Sequence, residues 1–173
     1  MRIYVASSWR NDYQPEVVRA LREVGHEVFD FRHPRDRDDG FHWSEIDKEW
    51  KQWTPEVYRD RLNHPLAEAG FKSDFDAMNW CEAVVAVQPF GRSSSLELGW
   101  AVGSGKFTVL LLDNGEPELM VKMVDRICCG LGEVLLELQQ YEGDLKLARK
   151  CHCGYCKECV AERLAIADGG GKS

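Results

Sequence analysis

The stretch Gly91–Lys106, "GRSSSLELGWAVGSGK", runs directly into "FTVLLLD" from Phe107, and its reading decides the fold. The serines followed by apolar residues predict a helix from about Ser94 to Gly103. The glycine pair then ends it, and Phe107 to Leu112 reads as a buried strand. A second apolar run, Ala83 to Gln88 in "EAVVAVQPF", precedes the same stretch. Strand, loop, helix and strand in that order form the crossover unit of a parallel sheet.

The serines, glycines and lysine resemble a phosphate-binding loop, but the required G-x-x-x-x-G-K-[ST] spacing fails. Trp100 stands where the first glycine belongs, Phe107 follows the lysine, and "GSGK" lies at the end of a helix. A dinucleotide fingerprint is also missing, because the first strand leads into "SSWRN" without G-x-G-x-x-G.

Working outward, "RIYVA" from Arg2 to Ala6 predicts a first strand. "PEVVRALREVG" predicts a helix with Pro15 in its first turn and Gly25 as its stop, followed by a strand from about Glu27 to Phe31. Ser44 is placed to cap a helix in the aromatic stretch "HWSEIDKEWKQW", and Thr54-Pro55 starts another through about Leu62. Trp43, Trp50 and Trp53 read as core or subunit-interface packing. Asp74 is expected to begin the helix before the strand at Ala83. A short helix near Pro117 to Val124, an edge strand near Arg126 to Cys128 and a last helix from about Gly132 to Glu142 complete the pattern. The alternation predicts an α/β doubly wound, Rossmann-like parallel sheet of about five strands. Residues 1–145 would form that domain, and 146–173 a cysteine-rich knuckle and tail.

With 173 residues and a net charge of −7, a single main domain is expected, and polyanionic partners such as nucleic-acid polymers or anionic membranes are disfavoured. No run approaches a membrane span, and the start "MRIYVASSW" lacks the apolar region of a signal peptide, so a cytoplasmic protein is expected. Cys151, Cys153, Cys156 and Cys159 crowd into "CHCGYCKEC". Thiol spacings of that kind suit a structural zinc site, with His152 as a competing ligand, better than a secreted disulfide framework. His33, His42 and His64 read as surface or packing residues.

Ligands of doubly wound sheets bind beyond the carboxyl ends of the strands. That marks Ser7, Ser8, Trp9 and Arg10 after the first strand, and Gly91, Arg92 and Ser93 after the strand at Ala83, as candidate substrate-binding residues. Glu97 is the acidic residue of the opening stretch. A carboxylate in the first turn of a helix is favoured by the macrodipole, and one aimed into a crevice could also attack a glycosidic carbon. On position alone Asp74 also reads as an N-cap and Tyr4 as a packed aromatic.

"IYVASSW", "DFDAMNWCEAVVAV" and "SSSLELGWAVGSGKFTVLLL" together resemble the nucleoside 2-deoxyribosyltransferase family, which includes the 2'-deoxynucleoside 5'-phosphate N-hydrolases, over about residues 2–113. The resemblance implies a flavodoxin-like fold and cleavage of a deoxynucleoside N-glycosidic bond with no organic cofactor. It implies Glu97 as nucleophile, Asp74 as acid/base at the start of its helix, and Tyr4 as the residue orienting Glu97. Deoxynucleosides or their monophosphates and free nucleobases would be the partners, and a homo-oligomer the expected assembly. Transferases of the family carry an aspartate shortly before the glutamate; here the loop reads "PFGRSSSLE". Arg92 and the serines suit a phosphate, and Ser8 and Arg10 match the serine and arginine that hold the 5'-phosphate in the hydrolases. Transfer to a base, hydrolysis of a monophosphate, and a non-catalytic nucleotide-binding module are the three readings carried forward.

Overall fold

The computed structural model describes residues 1–34, 39–113 and 117–150. Its elements are β1 (Arg2–Ala6), α1 (Gln14–Glu23), β2 (Glu27–Asp30), α2 (Pro55–Arg61), α3 (Pro65–Trp80), β3 (Ala83–Val87), α4 (Arg92–Gly103), β4 (Phe107–Leu111), β5 (Arg126–Cys128) and α5 (Leu131–Lys150). Three short 3-10 helices, Trp43–Glu45, Trp50–Gln52 and Leu119–Met123, sit in the connections among the described residues. The chain forms two compact units, Met1–Val134 and Leu135–Ser173. The whole sheet lies in the first, and the boundary falls within α5.

The five strands are parallel, in the order β2-β1-β3-β4-β5. That order is the flavodoxin-like one, with its reversal of direction between β1 and β3. Every residue of β3 and β4 is buried, as strands covered by helices on both faces must be. Pairing sets Tyr4 opposite Phe29 on one side and Val84 on the other. Tyr4, Ala6, Val84 and Ala86 therefore share a face, where they pack with Ala77 and Met78 of α3 and Leu98 and Ala101 of α4. Small residues at positions 6, 77, 86 and 101 let both helices approach the sheet closely.

Helices α1 and α4 end where the sequence predicts. Gly25 and Gly105 take φ values of +93° and +68°, which glycine reaches without the steric penalty of a side chain. Lys106, the lysine of the apparent phosphate loop, donates its ammonium to the carbonyls of Asn79 and Cys81 at 2.9 and 2.6 Å. It neutralises the exposed carbonyls at the C-terminus of α3, where a cation is favoured.

Four predicted elements differ. α3 begins at Pro65, not near Asp74: His64 is its N-cap, its Nδ1 accepting from the Leu66 N–H at 3.2 Å, with Pro65 in the first turn. Ser44 caps no α-helix. Its segment is a 3-10 turn wrapped around an aromatic cluster, in which Trp43 meets Trp53 and Tyr58 edge-on and the Trp53 indole donates to Asp47 at 2.7 Å. The stretch near Pro117 is likewise a 3-10 helix. The last helix runs to Lys150, past the domain boundary expected at 145. Cys151, Cys153, Cys156 and Cys159 lie outside the described residues.

Candidate active site

On α3 the buried positions Ala67, Gly70, Ala77 and Met78 follow the helical repeat, and Asp74 falls between them at four residues after Gly70 and four before Met78. Asp74 is therefore a mid-helix carboxyl on the inward face. It is not the N-cap or helix start expected from sequence. On α4 the buried stripe is Ser94, Leu98 and Ala101, and Glu97 borders it. Because α4 starts at Arg92 rather than near Ser94, Glu97 is in the second turn, where the helix dipole favours it far less than in the first.

The first turn of α4 is bolted to the end of β1. The buried Ser94 hydroxyl donates to the carbonyl of Ser7 at 2.6 Å. The Ser7 hydroxyl in turn donates to Val87 at 2.9 Å and accepts from Asn11 Nδ2 at 2.9 Å, while the same Asn11 amide reaches the carbonyls of Val87 and Gln88. The candidate binding residue Ser7 is thus committed to holding three segments together.

Glu97 and Asp74 face one cavity of about 660 Å³, a size that accommodates a nucleoside-sized ligand. Its walls are aromatic: Phe41, Trp43, Tyr58, Phe71, Phe75 and Trp100. Phe71 and Phe75 stack at 5.3 Å, and Phe75 meets Trp100 edge-on at 5.5 Å. Gly70 lets α3 come close to this wall, since a Cβ there would lie 2.8 Å from Phe41 Cβ.

Burial in this apolar setting disfavours the charged form of both acids. Burial raises Glu97 to about 7, helped by the charge of Asp74 and opposed by Tyr4. Burial alone raises Asp74 to about 6. Tyr4 is fully buried and stacked on Phe29 at 5.4 Å. Its pKa is raised well above 10, first by burial and then by the charges of Glu97 and Asp74. The Tyr4 hydroxyl interacts with Glu97 only loosely, with no partner at proper hydrogen-bond geometry. A buried hydroxyl left in that state is poised for a closer bond once the carboxylate shifts.

The structure thus brings Tyr4, Asp74 and Glu97 together, with Ser93 on the cavity wall. Ser8, Trp9, Arg10 and Gly91 are not among its lining residues. The Ser8 hydroxyl accepts from the Arg10 N–H at 3.2 Å, and Trp9 packs on Phe31 and His42. Arg92 lines a neighbouring cleft. The residues that sequence reading missed are the aromatic walls; the tryptophan-rich stretch was the visible signal, read there as packing. Among the described residues no group of three or more His, Cys, Asp or Glu could hold a metal ion, and no helix is long and apolar enough to cross a membrane.

A solved 2-deoxyribosyltransferase from the psychrotolerant bacterium Bacillus psychrosaccharolyticus is similar at a TM-score of 0.53 and 20% identity, over 78% of this chain and 90% of that one. The two chains share a fold. A CMP N-glycosidase from Clostridium botulinum is similar more loosely, at a TM-score of 0.45 and 19% identity over 80% of this chain and 99% of that one. No protein-family model and no curated protein matches the sequence.

Proposed function

We propose that this protein is an enzyme that cleaves the N-glycosidic bond of a deoxynucleoside through a covalent intermediate on Glu97 and passes the sugar to a second base. The observation that carries the reading is the sharing of one aromatic-walled cavity by Glu97 and Asp74, with the orphaned Tyr4 hydroxyl near Glu97. Facing aromatic walls suit a planar base, and two carboxyls suit the two roles that glycoside chemistry needs.

In the first half-reaction a Glu97 carboxylate oxygen attacks C1' as the bond to the base nitrogen breaks. The electron pair leaves with the base, which takes the Asp74 proton. An ester between Glu97 and deoxyribose results. In the second half a nitrogen of the incoming base attacks C1', its proton returns to Asp74, and Glu97 leaves as carboxylate. Tyr4 donates to the Glu97 oxygen that is not attacking and so fixes which one does. The absence of a 2'-hydroxyl eases the cation-like transition state. A non-catalytic module has no use for two buried, unpaired acids, which disfavour the folded state when charged.

A second reading, hydrolysis of a deoxynucleoside monophosphate by water in place of the second base, is favoured by Arg92, whose side chain makes no ion pair among the described residues. Assembly into a homo-oligomer belongs to the same proposal: Phe71 and Leu96 on the cavity wall are 65% and 77% exposed, and a second chain covering them would close the site. Light scattering checks this, and a monomer at working concentration removes it.

The test is chromatography of reactions with deoxynucleosides and their monophosphates, with and without a second base, using wild type and Glu97→Ala. New deoxynucleoside formed only with the second base supports transfer, and base release from monophosphates alone supports hydrolysis. Loss of on the order of 10³-fold or more is expected for the variant. No turnover by the wild type overturns both enzymatic readings.

A further inference from the structure

Next to the acid-bearing cavity lies a second cleft of about 480 Å³, and the two share Trp43, Tyr58 and Ser93 as walls. Beyond that common partition the second cleft is lined by Trp50, Trp53, Lys51 and Arg92. Its aromatic part is held in place: the Trp53 indole donates to Asp47 and its ring meets Trp43 at 5.6 Å. Asp47 accepts from the Trp53 indole on one oxygen and from the Glu49 N–H on the other, which fixes this turn. Lys51 lies over the Trp50 ring at 5.7 Å. Arg92 makes no side-chain hydrogen bond or ion pair among the described residues.

The geometry points to a second subsite of the same active centre, one that takes a planar heterocycle joined to the scissile nucleoside through phosphate. The preferred substrate is then a dinucleotide-type compound, two nucleosides linked 5' to 5' by a diphosphate. This inference rests on the proposed glycosidic site and specifies its substrate. Three features select the occupant. Lys51 and Arg92 match anionic phosphates. Trp50 and Trp53 offer faces for stacking a heterocycle. The volume far exceeds what a terminal phosphate needs and lies within the range that holds a ligand of drug size. Helical rise separates Arg92 from Glu97 by about 7.5 Å along α4, which leaves room for the sugar between the reacting carbon and its phosphate.

The experiment is calorimetric titration of full-length Glu97→Gln protein, which binds without turning substrate over. Its probes are a deoxynucleoside, its 5'-monophosphate and the symmetrical 5',5'-diphosphate dinucleotide, each in the adenine, guanine, cytosine and thymine series. The dinucleotide is expected to bind at least about tenfold more tightly than the monophosphate in the preferred series. Adding Trp50→Ala should collapse that ratio towards one. Adding the exposed pair Lys51→Ala and Arg92→Ala, which carries little risk to folding, should lower the ratio of phosphorylated ligand to nucleoside affinity and flatten its salt dependence. Equal binding of monophosphate and dinucleotide, or a ratio insensitive to all three substitutions, overturns the second subsite while leaving the first intact. No binding of any probe, nucleosides included, overturns the glycosidic site and this inference together.

Discussion

The hydroxyl of Ser94 donates to the carbonyl of Ser7 at 2.6 Å across 87 residues of sequence, and both residues are buried. This bond sets the register of α4 against β1. Glu97 follows Ser94 by less than one helical turn, and Tyr4 precedes Ser7 by three residues of strand. This hydrogen bond therefore helps set how the candidate nucleophile meets the hydroxyl proposed to orient it.

Ser94→Ala leaves the Ser7 carbonyl buried without its partner. A stability loss of about 1–3 kcal/mol is expected in urea denaturation. A fall in kcat larger than the change in KM should accompany it, because Glu97 is displaced while the aromatic walls stay. Rescue of kcat by Ser94→Thr would tie the effect to the hydroxyl. An alanine variant of unchanged stability and rate would show that the bond positions nothing.

Tyr4→Phe removes a buried hydroxyl that has no well-formed partner. Its melting temperature should match or exceed that of wild type, since no good hydrogen bond is lost. Turnover should nevertheless fall about 10- to 100-fold, by loss of orientation of Glu97. Stability and activity moving down together would mark Tyr4 as a packing residue only.

The two acids should make both stability and activity depend on pH. Burial raises Glu97 from 4.5 to about 7 and Asp74 from 3.8 to about 6. Folding therefore takes up protons, and the stability linked to the pair is full below about pH 4 and is lost as pH rises through 6 and 7. For Glu97 the difference amounts to about 3 kcal/mol. Glu97→Gln should thus be more stable than wild type at pH 8 but not at pH 4, as denaturant midpoints at the two pH values would reveal. The pair titrates as a unit, and its singly protonated form is most abundant between about pH 6 and 7; burial leaves that proton mainly on Glu97, so the reacting arrangement, ionised Glu97 beside protonated Asp74, is the minor tautomer of that form. The profile of kcat/KM should be a bell peaking there, and a flat profile from pH 5 to 8 would rule out the assigned roles.

Gly70→Ala places a Cβ 2.8 Å from Phe41 Cβ, too close for Phe41 to stay. Better helix propensity offers about 1 kcal/mol, against an overpacking cost of about 1–3 kcal/mol, so the net stability change should be small. The displaced ring distorts the cavity wall, and KM should rise several-fold with little change in kcat. A more stable variant with unaltered KM would show that Phe41 does not shape the bound state.

Much of this architecture was legible from the chain alone because its signals are local. The apolar runs at Ile3, Ala83 and Phe107 and the glycines at 25 and 105 set strands and helix ends through contacts within a few residues. Tyr4, Asp74 and Glu97 are singled out by their resemblance to a known pattern. What only tertiary structure decided was orientation. Asp74 was placed at the start of a helix, yet His64 and Pro65 begin that helix earlier, and the inward stripe of α3 is what turns Asp74 into the cavity. Trp43, Trp50 and Trp53 read as packing because aromatic composition does not say which face stays open; the edge-on contacts of Trp43 with Trp53 and Tyr58 and the Trp53–Asp47 bond hold a 3-10 segment in place of the expected helix. The elevated pKa values likewise come from desolvation by walls contributed from residue 41 to residue 100. Sequence-local physics determined the elements, while the site's geometry and charge arose from contacts between residues far apart in the chain.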